Sequence, residues 1–275
     1  MNKLRRAERL LIISKILFDN PGKLFTLNYF ENIFKVVKST ISEDITFVKE
    51  TLEREQKGEI VTIAGAAGGI KYYPWIEEGA IIQYLDQVAV LLNDYDRIMP
   101  GGFLYTSDII FDPYHSQMLG RIFATKYKAA NPDYIVTVET KGIPLALMTA
   151  QVFRVPLVII RDHSRVTEGT SVNINYVSGS TNRIQTMSLP RRAMKENSSV
   201  LIIDDFMRGG GTIGGCLDLM KEFKAEVKGI GVLLSTIEPE RKLVKEYYSL
   251  FEMETFSHNP ENPFIKPNLQ LELKK

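Results

Sequence analysis

The spacing of apolar residues changes character near residue 75. Before it they recur every three or four positions. Leu10, Ile13 and Leu17 share one face of a helix over 3–18, and Asp19-Asn-Pro-Gly22 ends it. A shorter helix after Thr26 carries Leu27, Phe30 and Phe34. A third places Ile41, Ile45, Val48 and Leu52 at helical spacing, with Ser39 or Thr40 as its cap and Thr40 with Glu43 as a capping box. The period then drops to two. Ile60–Ile63 and Ile70–Tyr73 flank Gly65-Ala-Ala-Gly-Gly69, which predicts a β-hairpin with a flexible tip. Two short helices, a capped third and a hairpin make a winged helix-turn-helix, whose last helix meets base edges through its N-terminal residues.

Pro74-Trp-Ile-Glu-Glu-Gly79 marks a boundary, giving a first domain over 1–74, a linker over 75–79 and a second domain over 80–275. Beyond it, helical and strand-like runs alternate. Helices are predicted over 80–92 and from Pro113 to Ala130, and one begins at Glu139-Thr-Lys-Gly-Ile-Pro144. Strands are predicted over 134–138, 155–160, 200–203 and 228–235. This alternation implies a parallel sheet with its ligand at the carboxyl ends of the strands. The segment 166–189 interrupts it. Val172, Ile174 and Tyr176 alternate, and Ser178-Gly-Ser-Thr-Asn-Arg183 is turn-rich, so a mobile β-hairpin is expected there. The C-terminal ~20 residues carry no clear pattern.

The chemistry concentrates in Val200-Leu-Ile-Ile-Asp-Asp-Phe-Met-Arg-Gly-Gly-Gly-Thr212. An apolar strand stops at Asp204 and Asp205. Phe206, Met207, Arg208, Gly209, Gly210, Gly211 and Thr212 lead from it into a helix. Glycines between a strand and a helix let backbone N–H groups approach a phosphate at the helix N-terminus. The carboxylates would repel that phosphate, so their role is to accept hydrogen bonds from vicinal hydroxyls. The ligand read from these residues is a sugar phosphate.

Composition narrows the class. Hydrophobic content of 44% with 24% charge is that of a globular protein. No run reaches the ~18 apolar residues of a membrane span. The apolar stretch after Arg9 is broken by Ser14 and Lys15 and lacks a cleavage pattern, so no signal peptide is expected. The single cysteine, Cys216, excludes an internal disulfide framework and fits a reducing cytoplasm. The histidines are scattered, and no metal-ligand cluster stands out. Residues 1–74 hold 12 Lys/Arg against 9 Asp/Glu, net +3, leaving 22 against 24, net −2, for the rest. The sign suits an N-terminal module that touches phosphates. Its candidate DNA-contacting residues are Arg5, Arg6, Arg9, Lys38, Ser39, Thr40, Ser42, Lys49 and Lys71.

The 200–212 stretch resembles the phosphoribosyl pyrophosphate (PRPP) motif of type I phosphoribosyltransferases, with two departures. Gly209 replaces the usual threonine, and Arg208 stands where base-catalysing purine enzymes carry aspartate. The resemblance implies that Asp204 and Asp205 bind the ribose hydroxyls and that the turn holds the 5′-phosphate. It places Thr140, Lys141 and Gly142 in the pyrophosphate loop and Arg161 beside the same diphosphate. Asp162 follows that arginine where lysine is common, leaving Arg165 as the candidate for the second charge. The 166–189 insert, with Tyr176, takes the place of the loop that closes over PRPP. The implied fold is α/β, a type I phosphoribosyltransferase-like parallel sheet with an N-terminal winged helix-turn-helix domain.

The whole chain resembles the purine-operon repressors of Gram-positive-type bacteria. The matches are Lys38-Ser-Thr-Ile-Ser-Glu-Asp44, Gly65-Ala-Ala-Gly-Gly-Ile-Lys-Tyr72, Thr140-Lys-Gly-Ile-Pro144, Val166-Thr-Glu-Gly169, Ile174-Asn-Tyr-Val-Ser-Gly-Ser180, Asn182-Arg-Ile-Gln-Thr-Met-Ser188 and Asp204-Asp-Phe-Met207. The resemblance implies a homodimeric cytoplasmic regulator that binds double-stranded promoter DNA, represses purine synthesis and transport genes, and catalyses no transfer. PRPP with Mg2+ is the implied effector, and guanosine tetraphosphate a candidate for the same pocket. The alternatives are an active adenine- or xanthine-type phosphoribosyltransferase with an accessory domain, and an RNA-binding regulator, which the winged helix disfavours.

Overall fold

The structure is a computed structural model, described over residues 4–65, 67–99, 103–163, 167, 169–177, 184–254 and 264–270. The chain forms two compact units, one of residues 1–77 with 151–154 and the other of residues 78–150 with 155–275.

The first unit contains α1 (Arg6–Phe18), α2 (Leu27–Phe34), α3 (Lys38–Arg54) and an antiparallel hairpin of β1 (Glu59–Ile63) and β2 (Gly69–Tyr73). The residues expected to face inward do so. Ile13, Leu17, Phe30, Phe34, Ile41, Ile45, Val48 and Leu52 are buried with Ile60 and Ile70 in one apolar cluster. Helix α1 starts at Arg6, whose preceding residue Arg5 donates its backbone N–H to Glu8 Oε2 at 2.6 Å. Thr26 caps α2 by accepting from the Tyr29 N–H at 3.2 Å.

The expected cap of α3 is wrong. The extended residue before the helix is Val37 (φ −69°, ψ 153°), so Ser39 and Thr40 already lie inside its first turn and no side chain caps it. A capping side chain must sit on the last extended residue, and Thr40 comes too late to pair with Glu43.

The second unit contains α4 (Glu78–Leu92), the short pair β3 (Ile98–Met99) and β4 (Phe103–Leu104), α5 (Ser107–Ile110) and α6 (Pro113–Lys126). Then come β5 (Tyr134–Val138), α7 (Gly142–Phe153), β6 (Leu157–Ile160), the hairpin β7 (Ser171–Val177) and β8 (Ile184–Pro190), and β9 (Ser199–Met207). Helix α8 (Gly211–Glu222), β10 (Glu226–Thr236), β11 (Tyr248–Met253) and β12 (Ile265–Pro267) complete it. Glu78 and Gly79, read as linker, are the first residues of α4. Helix α6 stops at Lys126, four residues short of the expected end, and its start follows from Asp112 capping the His115 N–H with Pro113 at the first position.

The sheet order is β12-β11-β10-β9-β5-β6. All neighbours are parallel except the β11–β12 edge. The chain winds from β5 outward to β6, returns to β9 beside β5, and winds the other way through β10 and β11. The reversal between β5 and β9 is a topological switch point, where such sheets bind ligands at the strands' carboxyl ends.

Two expectations change here. β9 does not stop at the acids: Asp204, Phe206 and Met207 stay in register with Val232, Leu234 and Ser235 of β10. The hairpin is not mobile along its whole length either. Val172, Met187 and Leu189 are buried in the core that α8 shares with the sheet, so its base is fixed. Its tip, 178–183, lies outside the described residues, as do Ala66 of the wing, Arg165 and Val166.

Candidate functional site

At the switch point the loop after β5 meets the end of β9. Gly142, the first residue of α7, stands against Asp204 and Thr137. Asp204 is buried at 5% exposure and accepts the Asp205 backbone N–H at 3.0 Å through Oδ1. Burial pushes its carboxyl well above the usual carboxylate range, and the neighbouring Asp205 adds to the rise. Asp205 is only half-buried. Burial raises it too, and the Lys141 ammonium opposes the rise. The two acids therefore differ: Asp204 is built into the loop packing, and Asp205 is the more open of the pair, with Lys141 nearby.

The next turn has the shape an anion needs. Phe206 through Ile213 surround a cavity of about 50 Å³. Gly210 takes φ +80° as the residue before α8, a conformation that favours glycine. Gly211, Thr212 and Ile213 then open the helix with N–H groups that lack an intrahelical acceptor. The turn is braced from behind, because Leu243 donates its N–H to the Gly209 carbonyl at 3.0 Å. Arg208 is exposed.

A cleft of about 810 Å³ lies beside this turn, lined by Glu139, Thr140, Arg161, Tyr176, Gln185 and Thr186 among others. Tyr176 ties the hairpin to the phosphate turn. Its hydroxyl donates to Gln185 Oε1 at 2.8 Å. Its ring lies against Gly215, where an added Cβ would come within 3.0 Å of it. Burial raises the Tyr176 pKa, and the nearby Thr212 side chain opposes that rise. Arg161 borders the cleft as expected, but its Nη1 is 3.0 Å from Glu139 Oε2. Glu139 and Gln185 line the cleft without having been expected there. The signal for Glu139 was its place at the strand end, next to Thr140.

In the first unit a groove of about 730 Å³ runs along α3 and the wing. Lys38, Ser42 and Lys49 line it, with Thr46, Asn28, Thr62 and the wing glycines Gly65 and Gly68. Ser39 is exposed, and Thr40 and Lys71 are half-buried; none of the three lines the groove. Glu50 and Glu53 do line it, and Glu53 pairs with Lys49 at 3.8 Å. Positive charge is thus concentrated at the Lys38 end. Arg5 and Arg6 are exposed.

Arg9 is a correction. It is 7% exposed, its Nε lies 2.7 Å from Asp44 Oδ2, and its Nη1 donates to the Leu4 carbonyl at 3.1 Å. Asp44 is buried on α3 and also takes Arg6 Nε at 3.2 Å. The helical period that put Arg9 among the basic residues at the start of α1 also turns it toward α3. Its charge is used inside the fold.

A family model for the N-terminal domain of bacterial purine repressors matches residues 5–74, and a phosphoribosyl transferase domain model matches residues 111–264. The chain is 44% identical to the purine biosynthesis transcriptional repressor PurR of Bacillus subtilis, over 93% of this chain and 90% of that one. The chain belongs to the bacterial purine repressor family. Within that family it is also 36% identical to the purine biosynthesis transcriptional activator PurR of Lactococcus lactis, over 91% of this chain and 93% of the relative. A xanthine phosphoribosyltransferase of Agathobacter rectalis is 28% identical over 63% of this chain and 97% of its own. Among solved structures, an adenine phosphoribosyltransferase from Thermoanaerobacter pseudethanolicus aligns with a TM-score of 0.54 at 19% identity, covering 62% of this chain and 99% of that one. This last likeness concerns the fold alone. Among the described residues, no helix is long and apolar enough to cross a membrane.

Proposed function

We propose that the protein is a homodimeric transcriptional repressor of purine synthesis and transport genes that binds double-stranded promoter DNA and is released from it by PRPP. The observation that carries this reading is the acid pair at the switch point, followed by the glycine turn, in a chain that also carries a repressor-family winged helix. The α8 N-terminus would take the 5′-phosphate, and Asp205, with Asp204 behind it, the ribose hydroxyls. Lys141 and the loop N–H groups of Thr140 and Gly142 would face the diphosphate. Magnesium is bound mostly through phosphate oxygens and one or two carboxylates. Among the described residues no group of three or more His, Cys, Asp or Glu is placed to hold a metal. Mg2+ would therefore enter with the ligand, with Asp205 the carboxylate open to it. Guanosine tetraphosphate, which carries diphosphates of its own, is a candidate competitor for the cleft.

The protein is a sensor in this reading, with no transfer reaction. Holding PRPP needs ribose and diphosphate contacts, whereas catalysis also needs an oriented purine and a group to manage its proton. Arg208 occupies the turn position where an acid would do that work. The more similar of the two PurR regulators is a repressor, which sets the sign. A gel shift on purine-gene promoter DNA tests the reading, with retarded complex expected without PRPP and free DNA expected with it. Steady nucleotide formation from PRPP and adenine, guanine, hypoxanthine or xanthine would place the protein with the transferases instead.

A further inference from the structure

Arg161 does not face an empty cleft. Glu139, the residue after β5, places one carboxylate oxygen 3.0 Å from Arg161 Nη1 and the other 3.0 Å from the Asp162 backbone nitrogen, which donates to it. Its own N–H is anchored to the Ile160 carbonyl at 3.0 Å, and Arg161 is held to β8 by paired backbone hydrogen bonds with Ser188. Both side chains are roughly one-quarter exposed, at 23% and 22%. The geometry is that of an arginine and a backbone N–H already holding an anion, in the cleft where a diphosphate is expected.

We propose that Glu139 is a resident anion that the ligand's diphosphate must displace. Resting on the effector reading above, this makes binding an exchange of anions at Arg161. Three consequences follow from charge alone. First, the carboxylate lowers the site's affinity for every phosphate. Second, the displacement costs every anion alike, so orthophosphate, with fewer contacts to offset it, is excluded at concentrations where a diphosphate still binds. Third, once displaced, the carboxylate stays beside the bound diphosphate and repels it unless a divalent cation lies between them. Asp162 adds to that repulsion, while Lys141 and, when protonated, His163 offset it. Glu139 is therefore a source of the site's dependence on Mg2+.

The test is calorimetric titration of the full-length protein with inorganic pyrophosphate, orthophosphate and PRPP, with and without Mg2+. Glu139→Gln keeps an oxygen for the Asp162 N–H and removes only the charge. The variant should bind pyrophosphate and PRPP about tenfold or more tightly than wild type, the least that a charge-assisted pair is worth. It should take orthophosphate at lower concentrations than wild type does, and need less Mg2+. Adding Arg161→Gln to the variant should cancel the gain. Equal thermal melting of wild type and Glu139→Gln shows that the fold is unchanged. If Glu139→Gln binds both pyrophosphate and PRPP no better than wild type, the proposal is overturned. If wild type and variant alike take neither ligand, the effector reading falls with it.

Discussion

Gly142 stands so close to Asp204 that a Cβ added to it would lie 2.7 Å from the carboxylate oxygen Oδ1, with the Thr137 hydroxyl closer still. The loop after β5 and the acid pair at the end of β9 are thereby fitted to one another across the switch point. Gly142→Ala must push them apart, at a cost of about 1–3 kcal/mol for overpacking. DNA binding is expected to survive and PRPP-induced release to be lost or to need much more PRPP. A gel-shift titration of PRPP against the preformed complex reads this out. Release at the wild-type concentration would mean that the fit has no bearing on the effector.

Asp204 should cost stability at neutral pH. Folding raises its pKa, so between the ordinary carboxylate range and the raised value the folded chain holds the proton more often than the unfolded one. Stability then falls as pH climbs through that window, and the full penalty applies above it. Asp204→Asn keeps an oxygen for the Asp205 N–H and removes the charge. Its melting temperature should exceed that of wild type near pH 7, with the difference shrinking toward pH 4. Each 1 kcal/mol gained corresponds to roughly 2–4 °C in a domain of this size. A variant that melts below wild type at neutral pH would show that the carboxylate stabilises the fold.

The contrast between these residues and Arg9 shows how far the sequence could be read. Local rules placed most elements up to β10, though not the short β3, β4 and α5, because period, glycine and proline signals are properties of a few adjacent residues. They placed the acids and the glycine turn together on β9 and the turn after it for the same reason. β11 was missed because Tyr248-Ser-Leu-Phe-Glu-Met253 follows a charged stretch without glycine, and it becomes a strand through its pairing with β10. Arg9 was misread because what buries it is Asp44, thirty-five positions away. Glu139 was passed over because its significance depends on Arg161, which follows a different strand. Pairings between distant positions leave no mark in local spacing.

The first unit offers a direct separation of these roles. Lys38 lines the groove and is exposed. If it meets a phosphate, Lys38→Ala should weaken binding to all sequences alike and reduce the slope of log affinity against log salt by about 1. Arg9→Ala should act differently, by leaving Asp44 buried with a weaker partner. The expected loss is at the lower end of the ~3–5 kcal/mol for breaking a buried pair, since Arg6 still reaches Asp44. Chemical denaturation should detect that loss, while the salt slope of whatever protein remains folded stays unchanged. A reduced slope in Arg9→Ala would return that residue to the DNA surface.

The last prediction concerns which acid reads the effector. Asp205 is half-buried beside Lys141 and Asp204 is enclosed, so the charge that can meet a hydroxyl is chiefly that of Asp205. An effector releases DNA only through a difference in its affinity for the free and DNA-bound arrangements. A hundredfold fall in DNA affinity needs about 2.7 kcal/mol of such difference. Hydrogen bonds to a charged acceptor contribute ~1.5–3 kcal/mol each, so one carboxylate meeting two hydroxyls can account for most of it. Asp205→Ala should therefore fold, bind promoter DNA as wild type does, and hold it at PRPP concentrations that release wild type. Adding Asp204→Ala should change the response little further, since the double variant loses a group already turned inward. Should Asp205→Ala release DNA normally and only the double variant fail, Asp204 must swing out to meet the ligand, and the ligand-free arrangement would be the closed form of the site.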